Sequence, residues 1–517
     1  MRKKHFLFAS VLALLCGSSA LHAQDFKLTS SGYFKNQGVD IMAFDDIYPE
    51  GHQGGVCIIM NGHRVATNGD IRLEATPGQW QPVPKQLDRK LGDNSITATL
   101  CYPDSSRHLT GFNPMIYPDL HLIYTVNVES KGKNIEVTVD LDRPIPQEFI
   151  GKVGFNLEFF PGSLFGKPWI MDGQSGIFPQ QPNSPLMTTQ PNYLHTGNYH
   201  DGKKSLADMD KLIGKGYSPI VADDIISEPY AKGTKFTSRP DDPYNKVTIE
   251  SLSGDLQLFD GRMNHNNGWF VLRSNIKPGV TKGAVKWIIT PNVVADWMYQ
   301  PVIQTSQIGY HPTQDKEAVI EMDIRDNRKE TAQIIRIDAD GEKVVKNVTP
   351  ANWGKFLRYN YLKVNFTDVK EPGLYKIKYN TSVSPIFRID NDVYARGVWQ
   401  PVLEYFLPVQ MCHMRVNEKY RVWHDCCHMD DAQMAPAHNH IDGYDQKEGL
   451  SKFKPGEVVP GVNIGGWHDA GDFDLRIESQ AGESYILALA YEAFHPNLDV
   501  TSIDQINRVT EIHQPDG

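Results

Sequence analysis

Apolar and polar side chains alternate in short runs from residue 25 to about residue 300. In 135–141, Ile-Glu-Val-Thr-Val-Asp-Leu, every second position is apolar, which is typical of a strand with one buried and one wet face. Its predicted partner is 121–128, with the turn Ser-Lys-Gly-Lys-Asn at 130–134 between them. Similar runs follow at 246–252, 269–276 and 283–290.

These runs predict a β-sandwich for residues 24–300, because apolar residues alternate with period two and the region contains no pattern of an amphipathic helix of several turns. The segment 159–185 is rich in Gly and Pro. We therefore predict long surface loops there.

Shorter strand-like runs continue after residue 300. They lie at 318–322, 333–337, 362–366 and 373–379. Four strands within about 90 residues predict a small immunoglobulin-like sandwich over residues 301–390.

Past residue 390 the apolar spacing becomes helical. Asp390 and Asp392 offer N-cap side chains, and Val398, Val402 and Phe406 recur at i, i+4 and i+8. The segment 475–494 is apolar at helical spacing and contains no proline. The spacing therefore predicts a helix in each of these two segments.

Length and composition indicate an ordinary globular protein with several domains. A chain of 517 residues exceeds one core, and 40% hydrophobic with 22% charged residues is globular composition. The formal net charge of -10 argues against a nucleic-acid or anionic-membrane surface. It is compatible with a neutral ligand such as a glycan, without selecting one.

The N-terminus predicts export. Arg2, Lys3 and Lys4 precede an apolar run at 6–15, and small residues follow up to Ala23. This is the organisation of a signal peptide over residues 1–23. No later stretch of about 18 uninterrupted apolar residues exists. We predict a secreted or periplasmic protein without a transmembrane segment.

The cysteines that follow the signal peptide fall into two groups. Cys57 and Cys101 either pair or remain as two buried thiols, and the sequence leaves both possibilities open. Cys412, Cys426 and Cys427 crowd together with several histidines. Thiolates and imidazoles together favour zinc.

The string 465–472, Gly-Gly-Trp-His-Asp-Ala-Gly-Asp, contains the candidate catalytic chemistry. Asp469 and Asp472 are separated by two small residues that leave room for a sugar, so the two carboxylates can hold one water. A bare Asp-x-x-Asp also fits a helix cap or a calcium loop. Trp467 is either part of a sugar platform or a packed core indole.

This eight-residue string resembles the signature of glycoside hydrolase family 9, the cellulase family. The resemblance implies that Asp472 is the general base of an inverting enzyme and that Asp469 helps to bind and orient the water. The sequence 307–312, Gln-Ile-Gly-Tyr-His-Pro, looks like the opening strand of the immunoglobulin-like module that precedes many family 9 catalytic domains. The resemblance implies that residues 391–517 are the N-terminal part of an all-α (α/α)6 barrel.

The resemblance also implies a structural zinc site formed by Cys412, Cys427, His428 and His468. Reduced buried thiols and satisfied histidines are the alternative interpretation. Cys426 is the main rival of Cys427. His424, His438 and His440 are spare candidates, and the binding of calcium is left open.

The function implied is cleavage of internal bonds in β-1,4-glucan polysaccharides. An exo-acting β-glucosidase or glucosaminidase of the same family is one alternative, and a non-catalytic glycan-binding protein is another. Family 9 domains carry a Glu general acid near their C-terminal end, so we expect a truncated barrel that is inactive by itself. Phe473 to Arg476 departs from the Gly-Lys-Tyr-like continuation of many members, which leaves substrate contacts open. The oligomeric state is also undetermined.

Overall fold

The chain forms two compact units in a computed structural model. The described residues up to Met298 make one unit, and those from Tyr299 onward make the other. The structure describes residues 25–45, 54–74, 76–78, 84–102, 120–182, 227–263, 268–395, 397–399, 401–402, 406–430, 432–434, 438–439, 445–446, 451–470, 473–495 and 501–513. The predicted signal peptide lies outside these residues.

The first unit is a sandwich of two antiparallel sheets. Its strands are β1 Lys27–Leu28, β2 Phe34–Asn36, β3 Val39–Ala43, β4 Val56–Met60, β5 His63–Leu73, β6 Lys85–Leu91, β7 Ser95–Cys101, β8 Ile123–Lys131, β9 Asn134–Leu141, β10 Val153–Phe159, β11 Pro168–Met171, β12 Gln174–Ile177, β13 Ala231–Gly233, β14 Lys235–Ser238, β15 Val247–Ser251, β16 Leu256–Asp260, β17 Phe270–Asn275 and β18 Val285–Pro291. Short 3-10 turns lie at Gln147–Phe149, Pro161–Ser163 and Gly261–Met263.

Each sheet has nine strands within the described residues. One sheet has the order β1-β2-β3-β4-β5-β10-β17-β16-β13, and the other has the order β12-β11-β14-β15-β18-β9-β8-β7-β6. Alternate side chains of both sheets form a continuous apolar core. Phe155 and Trp287, one from each sheet, meet edge to face with ring centroids 4.9 Å apart.

The predicted strands of this unit are confirmed. β8 and β9 form the expected hairpin, whose tight turn lies between Lys131 and Asn134 and uses Gly132 at a φ of 67°. The three later runs correspond to β15, β17 and β18. The prediction of loops throughout 159–185 is wrong, because β11 and β12 form a hairpin there. Its Met171 and Trp169 side chains are buried, which supplies the apolar contact that a loop lacks.

The immunoglobulin-like sandwich begins the second unit. Its strands are β19 Val302–Gln304, β20 Glu317–Asp323, β21 Ala332–Asp338, β22 Gly341–Val348, β23 Ala351–Phe356, β24 Tyr359–Asn365, β25 Gly373–Tyr379, β26 Ser382–Val383 and β27 Phe387–Ile389. One sheet has the order β19-β20-β24-β23, and the other is built on β22-β21-β25-β26 with β27 paired to β25. Tyr310 packs between the rings of Phe366 and Phe387 in its core. The four predicted strands are confirmed.

The remaining part of this unit mixes short strands with helical segments in its described residues. These elements are a π-helical turn Phe406–Gln410, β28 Met411–Cys412, β29 Arg415–Glu418, β30 Arg421–His424, β31 His438–Asn439, β32 Asp445–Gln446, β33 Gly466–Trp467, the helix α1 Ile477–Phe494, β34 Ser502–Asp504 and β35 Val509–Glu511. The second predicted helix therefore exists. The first predicted helix is described only in part. Residues 391–395 form turns, residues 401–402 are α-helical, and Phe406–Gln410 form the π-helical turn.

Two further sequence expectations bear on chemistry and location. Cys57, on β4, is buried, and Cys101, on β7, is half-buried. Among the described residues, no helix is long and apolar enough to cross a membrane.

Candidate active site and metal centre

A two-stranded pairing aligns the segment that contains the candidate catalytic residues. β28 pairs antiparallel with β33, with Met411 opposite Trp467 and Cys412 opposite Gly466. The backbone N–H of His468 donates to the carbonyl of Gln410 at 2.6 Å. The pairing therefore brings Cys412 and His468 together although they are far apart in the sequence.

Four potential metal ligands converge at this pairing. One donor atom from each of Cys412, Cys427, His428 and His468 lies within 4.8 Å of all the others. The Cys412 Sγ lies 3.5 Å from the Cys427 Sγ and 3.1 Å from the His428 Nδ1. The Cys427 Sγ lies 3.3 Å from the His468 Nε2. Two thiols and two imidazoles at such distances fit one tetrahedral ion with bonds of about 2.0–2.3 Å.

His468 is oriented for ligation by its backbone surroundings. Its Nδ1 lies 3.2 Å from the carbonyl oxygen of Val409, which directs Nε2 towards the cysteines. Burial lowers the pKa of His468, and the nearby His428 and His424 act in the same direction. The neutral imidazole with its second nitrogen held by a carbonyl is the form that binds metal ions.

The rival and spare ligands occupy other positions. Cys426 is exposed, and its Sγ faces the carbonyl of Arg508 at 3.9 Å. His424 lies beside the four ligands, with its ring 5.9 Å from that of His468, and its buried Nε2 has no hydrogen-bond partner. The side chain of His438 and the whole of His440 lie outside the described residues.

Asp469 is held by the start of α1. Its Oδ1 accepts a hydrogen bond from the Ser479 hydroxyl at 2.7 Å, and its Oδ2 accepts one from Arg476 at 3.3 Å. The Ser479 hydrogen bond, followed by Arg476, lowers the pKa of Asp469 below its usual range. Asp469 is therefore a fixed carboxylate at neutral pH. Asp472, the predicted base, lies outside the described residues.

The structure also describes the surroundings of Trp467 and Arg476. Trp467 packs against the small core around Met411, and its ring meets that of Phe406 edge to face at 5.6 Å. Arg476 is within 3.2 Å of Glu478 and 3.9 Å of Asp474, so it forms an ion-pair group at the helix start.

Glu483 is a residue near this site that the sequence analysis gave no role. It lies one helical turn after Ser479, and its Oε2 is buried without a hydrogen-bond partner. Burial raises its pKa, and the charge of Asp469 adds to the increase. In the sequence, only the i, i+4 spacing of Glu483 from Ser479 could have pointed to this residue. That spacing is common on helices, and it became informative only once the position of Asp469 was known.

One family model matches part of the chain. The family model described as the cellulase N-terminal Ig-like domain matches residues 298–384. No curated protein matches this chain.

Solved structures resemble parts of the chain. A metagenome-derived glycoside hydrolase family 9 endoglucanase is 24% identical over 38% of this chain and 34% of its own, with a TM-score of 0.30. A Zn-binding triple mutant of a family 9 endoglucanase is 23% identical over 35% and 31%, with a TM-score of 0.28. A galactose mutarotase related enzyme from Lactobacillus acidophilus is 8% identical over 50% and 96%, with a TM-score of 0.26.

The matched part of this chain spans about a third of the length of the solved endoglucanases. The family match covers most of the sandwich that begins with β19, where the sequence indicated such a module. The predicted opening strand at 307–312 contributes only an isolated bridge from Tyr310 to Ile389. Residues 298–384 are therefore similar to the cellulase N-terminal Ig-like domain, and this similarity covers that part of the chain.

Proposed function

We propose that this chain belongs to a secreted inverting glycoside hydrolase that cleaves internal bonds of a β-1,4-glucan-type polysaccharide. The observation that carries the proposal is the order of two features along the chain. A cellulase N-terminal Ig-like domain at 298–384 is followed by the string 465–472, which resembles the family 9 signature. The signal-peptide pattern at 1–23 supports export.

Each aspartate has its own role in the proposed reaction. Asp472 removes a proton from the water that attacks the anomeric carbon, and Asp469 accepts a hydrogen bond from the same water. The contacts of Asp469 with Ser479 and Arg476 support this positioning role, because they keep it ionised and fixed. A separate carboxylic acid protonates the leaving oxygen, as inversion requires.

The region that surrounds these residues is proposed to be part of an (α/α)6 barrel. α1 directly follows the string and has no buried side chain among its residues. Ile486 and Tyr485 are 61% and 64% exposed, although both are large and apolar or aromatic. Such a helix suits an arrangement in which further helices cover its surface.

Zinc is the metal proposed for the Cys412, Cys427, His428 and His468 group. The donor set supports it, since two thiolates and two imidazoles without an open position are typical of structural zinc sites. Bound zinc would supply folding free energy by linking three chain segments. His468 precedes Asp469 directly, so the same ligand would restrain the backbone of the water-binding carboxylate.

Replacement of Asp472 by Asn in the natural full-length protein tests the proposed reaction. Turnover on soluble β-glucan should fall by roughly three orders of magnitude or more, because the water then has no base. The control is Asp474→Asn, two positions further along, which should keep most of the activity. The measurement is the rate of reducing-end release, together with viscosity loss to distinguish internal from terminal cleavage.

Near-normal turnover of the Asp472→Asn variant would remove Asp472 as the base. Glucan binding without any hydrolysis by the unaltered protein would favour the glycan-binding alternative. Release of single sugars without viscosity loss would favour the exo-acting alternative.

A further inference from the structure

An aromatic strip crosses the outer face of one sheet of the immunoglobulin-like domain. It consists of Tyr299, Tyr359, Tyr361 and Trp353, whose rings follow one another in contact. The centroid distances are 5.1 Å from Tyr299 to Tyr359, 6.0 Å from Tyr359 to Tyr361 and 5.6 Å from Tyr361 to Trp353. Trp353 is 56% exposed, and the three tyrosines are half-buried.

The strand register explains why these rings share a face. Tyr359 and Tyr361 alternate with the buried Asn360 and Leu362 on β24, so they point away from the core. Trp353 occupies the bulge where the pairing of β23 with β24 shifts, between Asn352 and Gly354. A bulge redirects a side chain relative to the regular pleat.

Glu321 fixes the strip in its arrangement. One oxygen of its carboxylate accepts from the Tyr299 hydroxyl at 2.8 Å, and the other accepts from the Tyr361 hydroxyl at 3.1 Å. The backbone N–H of Tyr299 donates to Asp323 at 3.0 Å. Rings held in this way lose little conformational entropy when a ligand binds them.

The chemistry of the strip selects among ligands. Aromatic faces bind the apolar C–H surface of a sugar ring, and the phenolic oxygens and the Glu321 carboxylate accept hydrogen bonds from its hydroxyls. A single-stranded nucleic acid also stacks on aromatic rings, but it needs a cationic groove along its phosphates. The carboxylate at the centre of the strip disfavours such a polyanion.

We propose that this strip binds a neutral β-linked polysaccharide chain, outside the Asp469 and Asp472 region. The choice of polysaccharide rests on the proposed function. A chain held on the immunoglobulin-like domain would keep a polymeric substrate attached to the protein between cleavage events, with an effective concentration set by the tether.

Native gel electrophoresis through hydroxyethyl cellulose or xyloglucan tests this proposal. All proteins carry Asp472→Asn, so that hydrolysis does not change the gel. The parent should be retarded, and Trp353→Ala should weaken binding about tenfold. The control Val344→Thr, which alters a residue 44% exposed on the strand β22 of the other sheet, should bind as the parent does. Thermal unfolding checks that both variants are folded.

A second variant separates the contribution of the aromatic rings from that of the hydroxyl and carboxylate groups. Tyr361→Phe retains the ring and removes its hydroxyl from Glu321, so it should reduce retardation less than Trp353→Ala does. Equal retardation of the parent and Trp353→Ala, or no retardation of the parent, overturns the proposal. A change of oligomeric state in Trp353→Ala by light scattering, with retardation unchanged, identifies the strip as a protein interface instead.

The experiments can reject the proposed hydrolase activity and the proposed binding by the strip independently of each other. If retardation depends on Trp353 but the protein with Asp472 intact does not hydrolyse glucan, glycan binding by the strip is supported and the hydrolase activity is rejected. Hydrolysis of short soluble oligosaccharides that is unchanged by Trp353→Ala, without retardation of any form, rejects the strip alone.

Discussion

His468 serves two neighbouring groups of residues. Its imidazole faces Cys427, and its peptide bond leads directly into Asp469, which Ser479 and Arg476 hold from the helix side. The ligand group and the carboxylate are therefore linked through a single peptide bond. This arrangement explains how a structural metal would matter for a reaction in which it takes no chemical part.

Cys412→Ser should abolish stoichiometric zinc binding. Its sulfur lies within contact of both Cys427 and His428, so its loss leaves three donors and an incomplete tetrahedron. The matched control is Cys426→Ser, because Cys426 is exposed and faces Arg508. Elemental analysis of purified protein should give about one zinc per chain for the parent and the control, and close to none for Cys412→Ser. Zinc lost in the control but kept in Cys412→Ser would contradict the assignment.

The sequence identified candidate residues at the site but did not predict their geometry. Spacing alone left Cys426 and Cys427 as rivals, since adjacent residues differ only in the direction of their side chains. His428 adopts a left-handed backbone with a φ of 54°, which no pattern of residue types predicted. Glu483 went unassigned for the same reason, because its significance depends on where Asp469 lies.

At the scale of elements, Gly309 illustrates how one residue fixes the start of the immunoglobulin-like domain. It has a φ of 104°, and a Cβ at this position would collide with the carbonyl oxygen of Arg388 and approach Val393. The neighbouring Tyr310 N–H donates to the same Arg388 carbonyl at 2.9 Å. The close approach of the 307–312 segment to β27 therefore requires glycine.

Gly309→Ala should destabilise the immunoglobulin-like domain by several kcal/mol. The left-handed backbone costs an alanine roughly 1–2 kcal/mol, and the collision adds about 1–3 kcal/mol. Gly341→Ala is the control, because its φ is 125° but no atom lies within 4 Å of the added Cβ. Calorimetric unfolding should show the larger loss for Gly309→Ala, and equal losses would rule out the collision.

Elements with regular alternation were predictable, and irregular ones were not. The hairpin of β8 and β9 and the four immunoglobulin-like strands follow the period of two closely. β11 and β12 escaped prediction because Gly and Pro around them suggested loops, whereas burial of Trp169 and Met171 stabilises the hairpin. At 391–410 the apolar spacing indicated a helix, and the described residues there are turns at 391–395, α-helical residues 401–402 and the π-helical turn Phe406–Gln410.

On the scale of the whole molecule, the N-terminal sandwich contains an unusual buried charge network. Arg273 lies 3.2 Å from Glu74, and the Asn156 amide donates to the same Glu74 oxygen at 2.6 Å. Arg72 lies 3.7 Å from Asp70. All of these side chains are at most 5% exposed. Burial of charges costs free energy that such pairing offsets only in part.

This network should make the first unit more stable at pH 5 than at pH 8. Burial raises the pKa of Asp70 to about 6 and that of Glu74 to about 7, against the opposing effect of Arg72 and Arg273. The folded state therefore holds protons that the unfolded chain releases above about pH 4. Its contribution to stability is present below that pH and is lost as the pH rises towards 6 and 7.

Glu74→Gln checks the direction of this effect. The amide keeps the size of the side chain but removes one titrating group, while Arg72, Glu158 and Asn156 remain around it. Calorimetric unfolding between pH 5 and pH 8 should show a shallower decrease for the variant. An unchanged slope, or a parent that gains stability with pH in this interval, would contradict the assignment.

The central claim is that the full-length protein cleaves β-glucan with inversion at the anomeric carbon. Proton NMR of a soluble β-1,4-glucan during the first minutes of hydrolysis tests it most directly, because mutarotation has not yet mixed the anomers. The account predicts that the α-anomer of the new reducing end appears first. Initial appearance of the β-anomer, or no new reducing ends at all, would contradict it.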